Sequence, residues 1–339
     1  MILDAKTLAL SPAVYELLEE TKGLDLGGQV KTELFASVVE LATEICPTTE
    51  EAYASLRSLR AAAAAAAEGQ GLVLAAAGSH PFSAPAVQEI AREERYADFV
   101  EYAGMTARRQ GVSGVHIHVG MPDGETCYRV LEALLPWLPV VLALSANSPY
   151  LAGEETGLLS TRAEVLGTLP RSGAPPAFGS YAAWVAFVER IQASGLALTN
   201  DYRSFWWDVR PHPMYGTLEI RTPDQPTALG RTRAFAELLQ RLCKDLADDE
   251  NGPVDPSRRG DYAQNRWAAA RFGPRAGLLH PDGDRVVPAS DLAAELFERV
   301  GPVDDLPTTA CEADRQLDVG RTKGLQAVCS DLAERTLDA

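Results

Sequence analysis

Two histidines one residue apart are the first side chains whose types and spacing could do chemistry. His116 and His118 lie in the segment GVHIHVG at 114–120, and the chain has five histidines in total. Because successive side chains of a strand point to opposite faces, a strand here would place both imidazoles on one face. Paired imidazoles suit contacts with a metal ion or a phosphate. The alternative is a pair of surface or hydrogen-bonded histidines.

A carboxylate and a guanidinium show the same alternation in GTLEIRTPD at 216–224. A strand here would direct Glu219 and Arg221 to one face and would bury Leu218 and Ile220 on the other. Glu219 could then hold a hard cation through its oxygens, and Arg221 could bind a phosphate or a carboxylate. The other interpretation, which the spacing leaves open, is that the two charges simply pair with each other.

The segment just upstream, FWWDVRP at 205–211, is predicted to form a partner strand, joined to the first by the turn PHPMYG. Alternation places Asp208 and Arg210 on one face of it. The adjacent tryptophans, Trp206 and Trp207, are more typical of packing than of ligand stacking.

Two further carboxylates, Glu33 and Glu40, are seven residues apart in a segment whose phenylalanine and valine content favours a strand. In an unbroken strand an odd separation puts two side chains on opposite faces. Joint use of both carboxylates in one site therefore requires a turn between them, which spacing alone does not establish.

Several common active-site motifs are missing from the sequence. It contains neither the GxxxxGK[ST] nor the GxGxxG phosphate-binding turn, and no serine or cysteine lies in a nucleophile motif. A metal-dependent hydrolase built on His116 and His118 would need further histidine ligands. The other three, His80, His212 and His280, all precede proline and so belong to turns or extended segments. This hydrolase is a remote alternative.

The composition narrows the class of protein further. The chain has 339 residues, 46% hydrophobic and 23% charged, with a formal net charge of −16. Such a negative field disfavours nucleic acid and anionic membranes as partners. Five scattered cysteines without CxxC spacing and an N-terminus without a signal-peptide pattern favour the cytoplasm. The longest apolar stretch, 130–146, is interrupted by Glu132 and two prolines, so we expect no membrane span.

The elements that must position these residues alternate irregularly along the chain. Predicted helices cover 11–20, 49–68, 85–110 and 126–144, and then dominate from 228 to the C-terminus. Further predicted strands cover 71–78 and 114–122, and 145–180 is predicted to be a long structured loop. Because regular βαβα alternation is absent, the sequence predicts an α+β protein with a largely antiparallel sheet, organised as one domain over 1–339.

Taken together, these segments resemble the ATP-dependent carboxylate–amine ligases, also called type 2 glutamate–cysteine ligases. The resemblance covers nearly the whole chain in ordered blocks, of which the one at 207–224 is highly specific. The blocks are GSHPF at 78–82, ERY at 94–96, GVHIHVG at 114–120, SANSPYLAGEETG at 145–157, STR at 160–162, WDVRPHPMYGTLEIRTPD at 207–224 and NRWAAARFG at 265–273.

The resemblance implies a fold like that of glutamine synthetase, with a curved, mainly antiparallel sheet and helices packed on one face. It implies ATP and Mg²⁺ on the concave face, and an enzyme that activates the γ-carboxylate of glutamate, or of a similar acid, as an acyl phosphate. An amine, cysteine by default, would then form the amide. The implied partners are small molecules, and an exposed sheet edge would also favour a homo-oligomer.

The same resemblance assigns roles to individual residues. The implied metal ligands are Glu33, Glu40, His116 and Glu219. Arg221 would lie near the transferred phosphate, His118 would contact phosphate or nucleotide, and Arg162 and Arg210 would contact phosphate or a substrate carboxylate.

One departure concerns the first strand. The family's pattern has a strand of the form G-[VI]-E-x-E-F just before the segment that begins here at Met1, and its glutamates complete the metal cluster. Either the true start lies upstream of Met1, which we favour because residues 1–4 resemble the second half of an interrupted strand, or the chain has lost part of its metal site. In both cases we expect weak or no turnover from the chain as it stands. The alternative to a working ligase is a catalytically impaired, ligand-binding member of the same family.

Overall fold

The computed structural model describes residues 1–198, 202–249, 258–283 and 285–338. The α-helices, numbered in chain order, are α1 Val14–Thr21, α2 Thr49–Gly69, α3 Glu94–Ala103, α4 Met105–Arg108, α5 Gly124–Leu134, α6 Leu138–Ser145, α7 Thr161–Leu166, α8 Tyr181–Ala193, α9 Leu229–Asp248, α10 Arg259–Phe272, α11 Ala289–Val300, α12 Glu312–Lys323 and α13 Leu325–Thr336. The strands are β1 Ile2–Asp4, β2 Gly28–Thr32, β3 Val39–Thr43, β4 Leu72–Leu74, β5 Ile117–Gly120, β6 Tyr150–Leu151, β7 Glu154–Glu155, β8 Val209–His212, β9 Thr217–Ile220, β10 Gly277–Leu279 and β11 Val286–Pro288.

Every ladder between these described strands is antiparallel. The largest sheet has three strands in the order β5-β9-β8, and the two-stranded ladders are β1-β4, β2-β3, β6-β7 and β10-β11. The α+β, antiparallel prediction is therefore confirmed, with the sheet divided into short ladders.

The three-stranded sheet has one polar and one apolar face. His118 pairs with Glu219, which pairs on its other side with Arg210. The neighbouring rows carry Leu218 and Ile220, both fully buried against the core. Side-chain alternation predicted this division correctly, because it depends only on the local period of two.

The core behind the apolar face is built mainly from α5, α6 and α9, whose apolar residues belong to one buried cluster. The segment Gly124–Ser145, which contains α5 and α6, is long and apolar enough to cross a membrane, but 83% of its most apolar window is buried inside the protein. It serves here as the central helical layer beneath the sheet.

The predicted helix boundaries are partly confirmed. Helix α2 begins and ends as predicted, with Thr48 accepting a hydrogen bond at its start. Helix α1 begins at Val14 rather than at Ser11, with Ala13, whose backbone is not helical, as its N-cap residue. The single helix expected over 85–110 is wrong: residues 88–93 are not helical, and Gly104, with a φ of +57°, separates α3 from α4.

A buried arginine ties distant parts of the chain together. Arg60 of α2 is 4% exposed and donates to the carbonyl oxygens of Thr227 and Thr336, at 2.7 and 2.8 Å. These contacts agree with a one-domain organisation over 1–339, which stays a prediction.

His80, from the GSHPF block, supports the fold rather than the chemistry. Its Nδ1 accepts from the amides of Phe82 and Ser83, so the proton is on Nε2, which donates to the Leu8 carbonyl at 2.9 Å. Burial lowers the pKa of this imidazole to about 4.

The His80 site predicts a loss of stability in mild acid. The unfolded chain binds a proton on this histidine below about pH 6.5, whereas the folded chain resists it down to about pH 4. The neutral His80 side chain therefore contributes to the free energy of unfolding above pH 6.5. This contribution, about 3 kcal/mol, is lost as the pH falls towards 4. Urea unfolding at pH 7 and pH 4.5 measures how far the free energy of unfolding falls in acid. This decrease should be smaller for His80→Asn than for the wild type, because the asparagine oxygen can still accept from both amides but does not titrate. An equal decrease in both proteins would contradict this assignment.

Candidate active site

The predicted site residues meet at one large cavity of about 1820 Å³. It lies between the β2–β3 hairpin, the polar face of the three-stranded sheet and α9. Seven of the side chains assigned by resemblance line it: Glu33, Glu40, His116, His118, Arg162, Arg210 and Arg221. The eighth, Glu219, is buried under this lining at 3% exposure.

Glu219 lies between two arginines. Arg210 Nε donates to its Oε2 at 2.7 Å, and Arg221 Nη1 donates to its Oε1 at 2.5 Å. Burial alone would raise the pKa of this carboxyl, but Arg221 and Arg210 hold it well below its usual range. The interpretation that Glu219 and Arg221 pair with each other is thus correct, and both carboxylate oxygens are bound by protein cations.

His116 lies immediately before β5 rather than within it. Its Nδ1 is 3.3 Å from Arg221 Nη1 and 3.8 Å from Glu219 Oε1. Removal from bulk water, together with the Arg221 charge, lowers the pKa of this imidazole well below its ordinary value. A neutral ring beside a guanidinium can accept its hydrogen bond, so His116 helps to orient Arg221.

His118 occupies the next polar position of the strand, as the alternation predicts. Its Nδ1 is 2.9 Å from Thr217 Oγ1, and its ring lies edge-on to that of His212 with centroids 5.0 Å apart. Burial lowers its pKa from the ordinary value. The ring borders the cavity on the side away from Arg221, where a nucleotide or phosphate contact stays a prediction.

Arg210 is committed to the protein. Besides Glu219, it binds the carbonyl oxygens of Tyr202, Arg203 and Phe205 through Nη1. Its guanidinium therefore joins the sheet to the turn at 202–205. In this structure Arg210 positions Glu219, and the direct substrate contact expected for it has no support.

Arg162 is committed in the same way. Its Nη1 and Nη2 donate to the carbonyl oxygens of Thr222 and Arg221, at 3.0 and 2.8 Å, and the side chain is only 4% exposed. It also lies 3.9 Å from the buried carboxylate of Asp224. Arg162 thus holds the backbone that carries Arg221, and the substrate contact expected for it stays a prediction.

Asp224 connects two of the sequence blocks to the segment that follows β9. Its carboxylate accepts from the Asn147 amide, the Ser148 hydroxyl and the Ser160 hydroxyl, at 2.6 to 2.9 Å. The SANSPY and STR blocks therefore fix the end of the β9 segment from behind.

Asp208, predicted to share a polar face with Arg210, is likewise structural. It is 2% exposed and accepts from Tyr262 and from Arg266 of the NRW block, at 2.6 and 2.7 Å. Its own carbonyl accepts from the Arg221 amide at 2.8 Å, so this network too supports Arg221.

Glu33 and Glu40 are brought to one region by a turn, the condition that spacing left open. The chain reverses between β2 and β3, where Lys31 pairs with Glu40 and Glu33 Oε2 accepts from the Leu34 amide at 2.7 Å. Burial and the neighbouring Glu33 raise the pKa of Glu40. The two carboxylates repel each other, and nearby cations offset part of that repulsion. We call them the acidic pair, Glu33–Glu40, on the cavity wall.

The four residues implied as metal ligands do not form one cluster. Among the described residues, no group of three or more histidine, cysteine, aspartate or glutamate side chains is placed to hold a metal ion. Glu219 does not fit, because Arg210 and Arg221 occupy its oxygens. The acidic pair has the ligand chemistry that suits Mg²⁺, which commonly takes one or two carboxylates and completes its shell with phosphate oxygens and water.

The same observation leaves the hydrolase alternative without support. Of the further histidines it would need, His80 is bonded to the Leu8 carbonyl, and His280 Nε2 is 2.8 Å from Glu295. His212 is near His118 but belongs to a ring cluster with Tyr215, at a centroid distance of 4.2 Å.

Sequence reasoning gave no role to two residues that border the acidic pair. Arg95 Nη2 donates to the Tyr96 hydroxyl at 2.9 Å, and that hydroxyl donates to the Thr32 carbonyl at 2.8 Å. The Arg95 charge also lowers the pKa of Glu40, against the larger effects that raise it. The ERY block contains both residues, and its charged-aromatic composition was the available signal.

Comparison with known proteins agrees with this architecture. The model of glutamate–cysteine ligase family 2 (GCS2) matches residues 4–323. A Rubrobacter xylanophilus protein named "Putative glutamate–cysteine ligase 2-3" is 40% identical over an alignment of 349 positions, covering 99% of this chain and 94% of the relative. A Herpetosiphon aurantiacus protein named "Putative glutamate–cysteine ligase 2" is 36% identical, covering 99% and 91%.

A solved structure shares the fold at low sequence identity. It is a glutamate–cysteine ligase from Francisella tularensis in complex with AMP, with a TM-score of 0.72 and 13% identity, covering 99% of this chain and 86% of that one. The family match over almost the whole chain, the identity to named relatives and the shared fold lead to one conclusion. The chain is a member of glutamate–cysteine ligase family 2, a family of ligase-type enzymes.

Proposed function

We propose that the chain is an ATP- and Mg²⁺-dependent ligase that joins the γ-carboxylate of glutamate, or of a similar acid, to an amine through an acyl phosphate. Cysteine is the default amine, because the relatives are named for it. The AMP bound to the structurally similar ligase supports a nucleotide substrate.

One observation carries the proposal. Arg221 is oriented by Glu219 and His116, yet its buried Nε has no hydrogen-bond partner among the described residues. A buried N–H without an acceptor is costly, and an anionic oxygen would satisfy it. The charge of Arg221 also lowers the pKa of Glu40, so the guanidinium acts electrostatically on the acidic pair. A cation opposite two carboxylates suits a phosphate brought in with a divalent ion.

The chemistry needs two balanced steps. A carboxylate oxygen of the acid attacks the γ-phosphorus of ATP, the bond to the bridging oxygen breaks, and ADP leaves with that electron pair. A neutral amine then attacks the acyl carbon, the bond from carbon to the phosphate oxygen breaks, and the nitrogen loses one proton as the amide forms. Arg221 would bind the equatorial oxygens of the transferred group, which carry developing charge.

The acidic pair Glu33–Glu40 would hold the metal ion, which when bound offsets the charge of the phosphates. Three further residues of the site act through Arg221. Glu219 and His116 orient its guanidinium, and Arg162 holds its backbone.

Release of ADP from ATP and Mg²⁺ with glutamate tests the proposal, with and without cysteine and a panel of other amines. We expect a slow release that depends on both the acid and the amine, with one amide formed per ADP. Nucleotide binding without turnover would instead favour the catalytically impaired, ligand-binding alternative. If the protein shows no nucleotide binding and no turnover, the proposed ligase activity is contradicted. The cytoplasmic location and the homo-oligomer stay predictions.

A further inference from the structure

One wall of the cavity carries three aromatic side chains, and guanidinium groups lie over two of them, Arg95 over the Tyr96 ring at 4.6 Å and Arg171 over the Trp206 ring at 5.8 Å. It consists of Tyr96, Phe99 and Trp206, here called the aromatic wall, all of which line the cavity. Tyr96 and Phe99 are three residues apart on α3 and so lie on the same side of that helix. None of the ten residues of α3, all of them described, is buried. The apolar side of α3 therefore faces the cavity instead of the core.

The two neighbouring tryptophans divide between core and cavity. Trp207 is 2% exposed and packs against Phe205, with ring centroids 5.0 Å apart, which agrees with the packing role predicted for it. Trp206 is half-buried and contacts Phe99 with centroids 5.4 Å apart. For Trp206 the predicted packing role is incomplete, because part of the ring is left to the cavity.

The aromatic wall begins directly beside the acidic pair. The Tyr96 hydroxyl donates to the carbonyl of Thr32, the residue before Glu33. Burial raises the pKa of Tyr96, and the Glu33 charge raises it further. From Tyr96 the wall continues through Phe99 to Trp206, so apolar surface starts where the phosphorylated carboxylate would be attacked.

We propose that the aromatic wall binds the ring of an amine acceptor, so that the preferred amines carry a flat aromatic ring. This inference rests on the proposed function and names its second substrate. Covering the wall removes apolar surface from water, and ring-on-ring contact adds to that gain. A glutamate-like acid has no apolar part of this size. The base of ATP is separated from the γ-phosphate by a ribose and two phosphates, so it belongs further from the acidic pair than Tyr96 does.

The test compares amines that differ by a ring. ADP release is measured with 2-phenylethylamine and ethylamine for the wild type, Trp206→Ala, Phe99→Ala and the control Trp267→Ala. Trp267 is 46% exposed on α10 and is not part of the cavity lining. In the wild type, kcat/KM for 2-phenylethylamine should be at least about ten times that for ethylamine. Either wall substitution should remove most of that preference and change ethylamine less than twofold, and Trp267→Ala should change neither.

Two results would overturn the inference. One is a wild type that turns over both amines equally. The other is a Trp206→Ala protein whose KM for ATP rises by the same factor with every amine, which would assign the wall to adenine.

A binding measurement tests this inference independently of the proposed function. If no amine supports ADP release, the proposed function fails, and calorimetric titration with 2-phenylethylamine still tests the wall. Binding by the wild type that is about tenfold weaker in Trp206→Ala and unchanged in Trp267→Ala would support it. Equal or absent binding in all three proteins would overturn it.

Discussion

Replacing Arg221 by glutamine should lower amine-dependent ADP release about 10²–10³-fold, the usual cost of removing a donor aimed at developing charge. Of the three arginines assigned to the site, Arg221 is the one whose buried Nε lacks a partner among the described residues, while Arg162 and Arg210 are committed to the protein. The fold should survive the change, because Glu219 keeps its two hydrogen bonds from Arg210 and is not left as an uncompensated buried charge.

The measurement is the single-turnover rate of ADP formation at saturating ATP, with the thermal midpoint as the check on folding. Arg275→Gln is the matched control, since this exposed arginine pairs with Asp314 outside the cavity. It should leave the rate within twofold. An Arg221→Gln protein that is folded and retains more than a third of the rate would exclude Arg221 from contact with the transferred phosphate.

Replacing Gly114 by alanine should destabilise the protein by about 3–5 kcal/mol and abolish turnover with it. A Cβ on Gly114 would lie 2.1 Å from Nη2 and 2.3 Å from Cζ of Arg162, whose guanidinium lies flat against this glycine. Arg162 cannot retreat without giving up the carbonyls of Arg221 and Thr222 and leaving Asp224 buried without its cation.

A double-mutant cycle in urea isolates the cause. In an Arg162→Ala background the clash is absent, so Gly114→Ala should add little, and the two changes should be non-additive by several kcal/mol. Gly120→Ala, on the adjoining strand, is the control, because no described atom lies within 4 Å of its added Cβ. Simple additivity of Gly114→Ala and Arg162→Ala would show that the contact between them is not what makes glycine necessary.

The sequence by itself determined the elements whose patterns are local. The polar and apolar faces of β5 and β9, the β8–β9 hairpin and the bounds of α2 follow from periods of two and 3.6 and from capping residues. The residue types at the site were also readable, because imidazole, carboxylate and guanidinium groups are rare on a strand face unless they are paired or used.

Only the tertiary structure decided what each charge does. Arg162 and Arg221 are 59 residues apart, and nothing local indicates that one holds the backbone of the other. The register that places Arg210 beside Glu219 decided that this carboxylate is paired, and the turn between β2 and β3 decided that Glu33 and Glu40 share a wall. A side chain's alternation fixes the face that it occupies, but its partner depends on which distant segment packs against that face. For this reason the residue types of the candidate site were visible in the sequence, whereas the partner of each charged side chain was not.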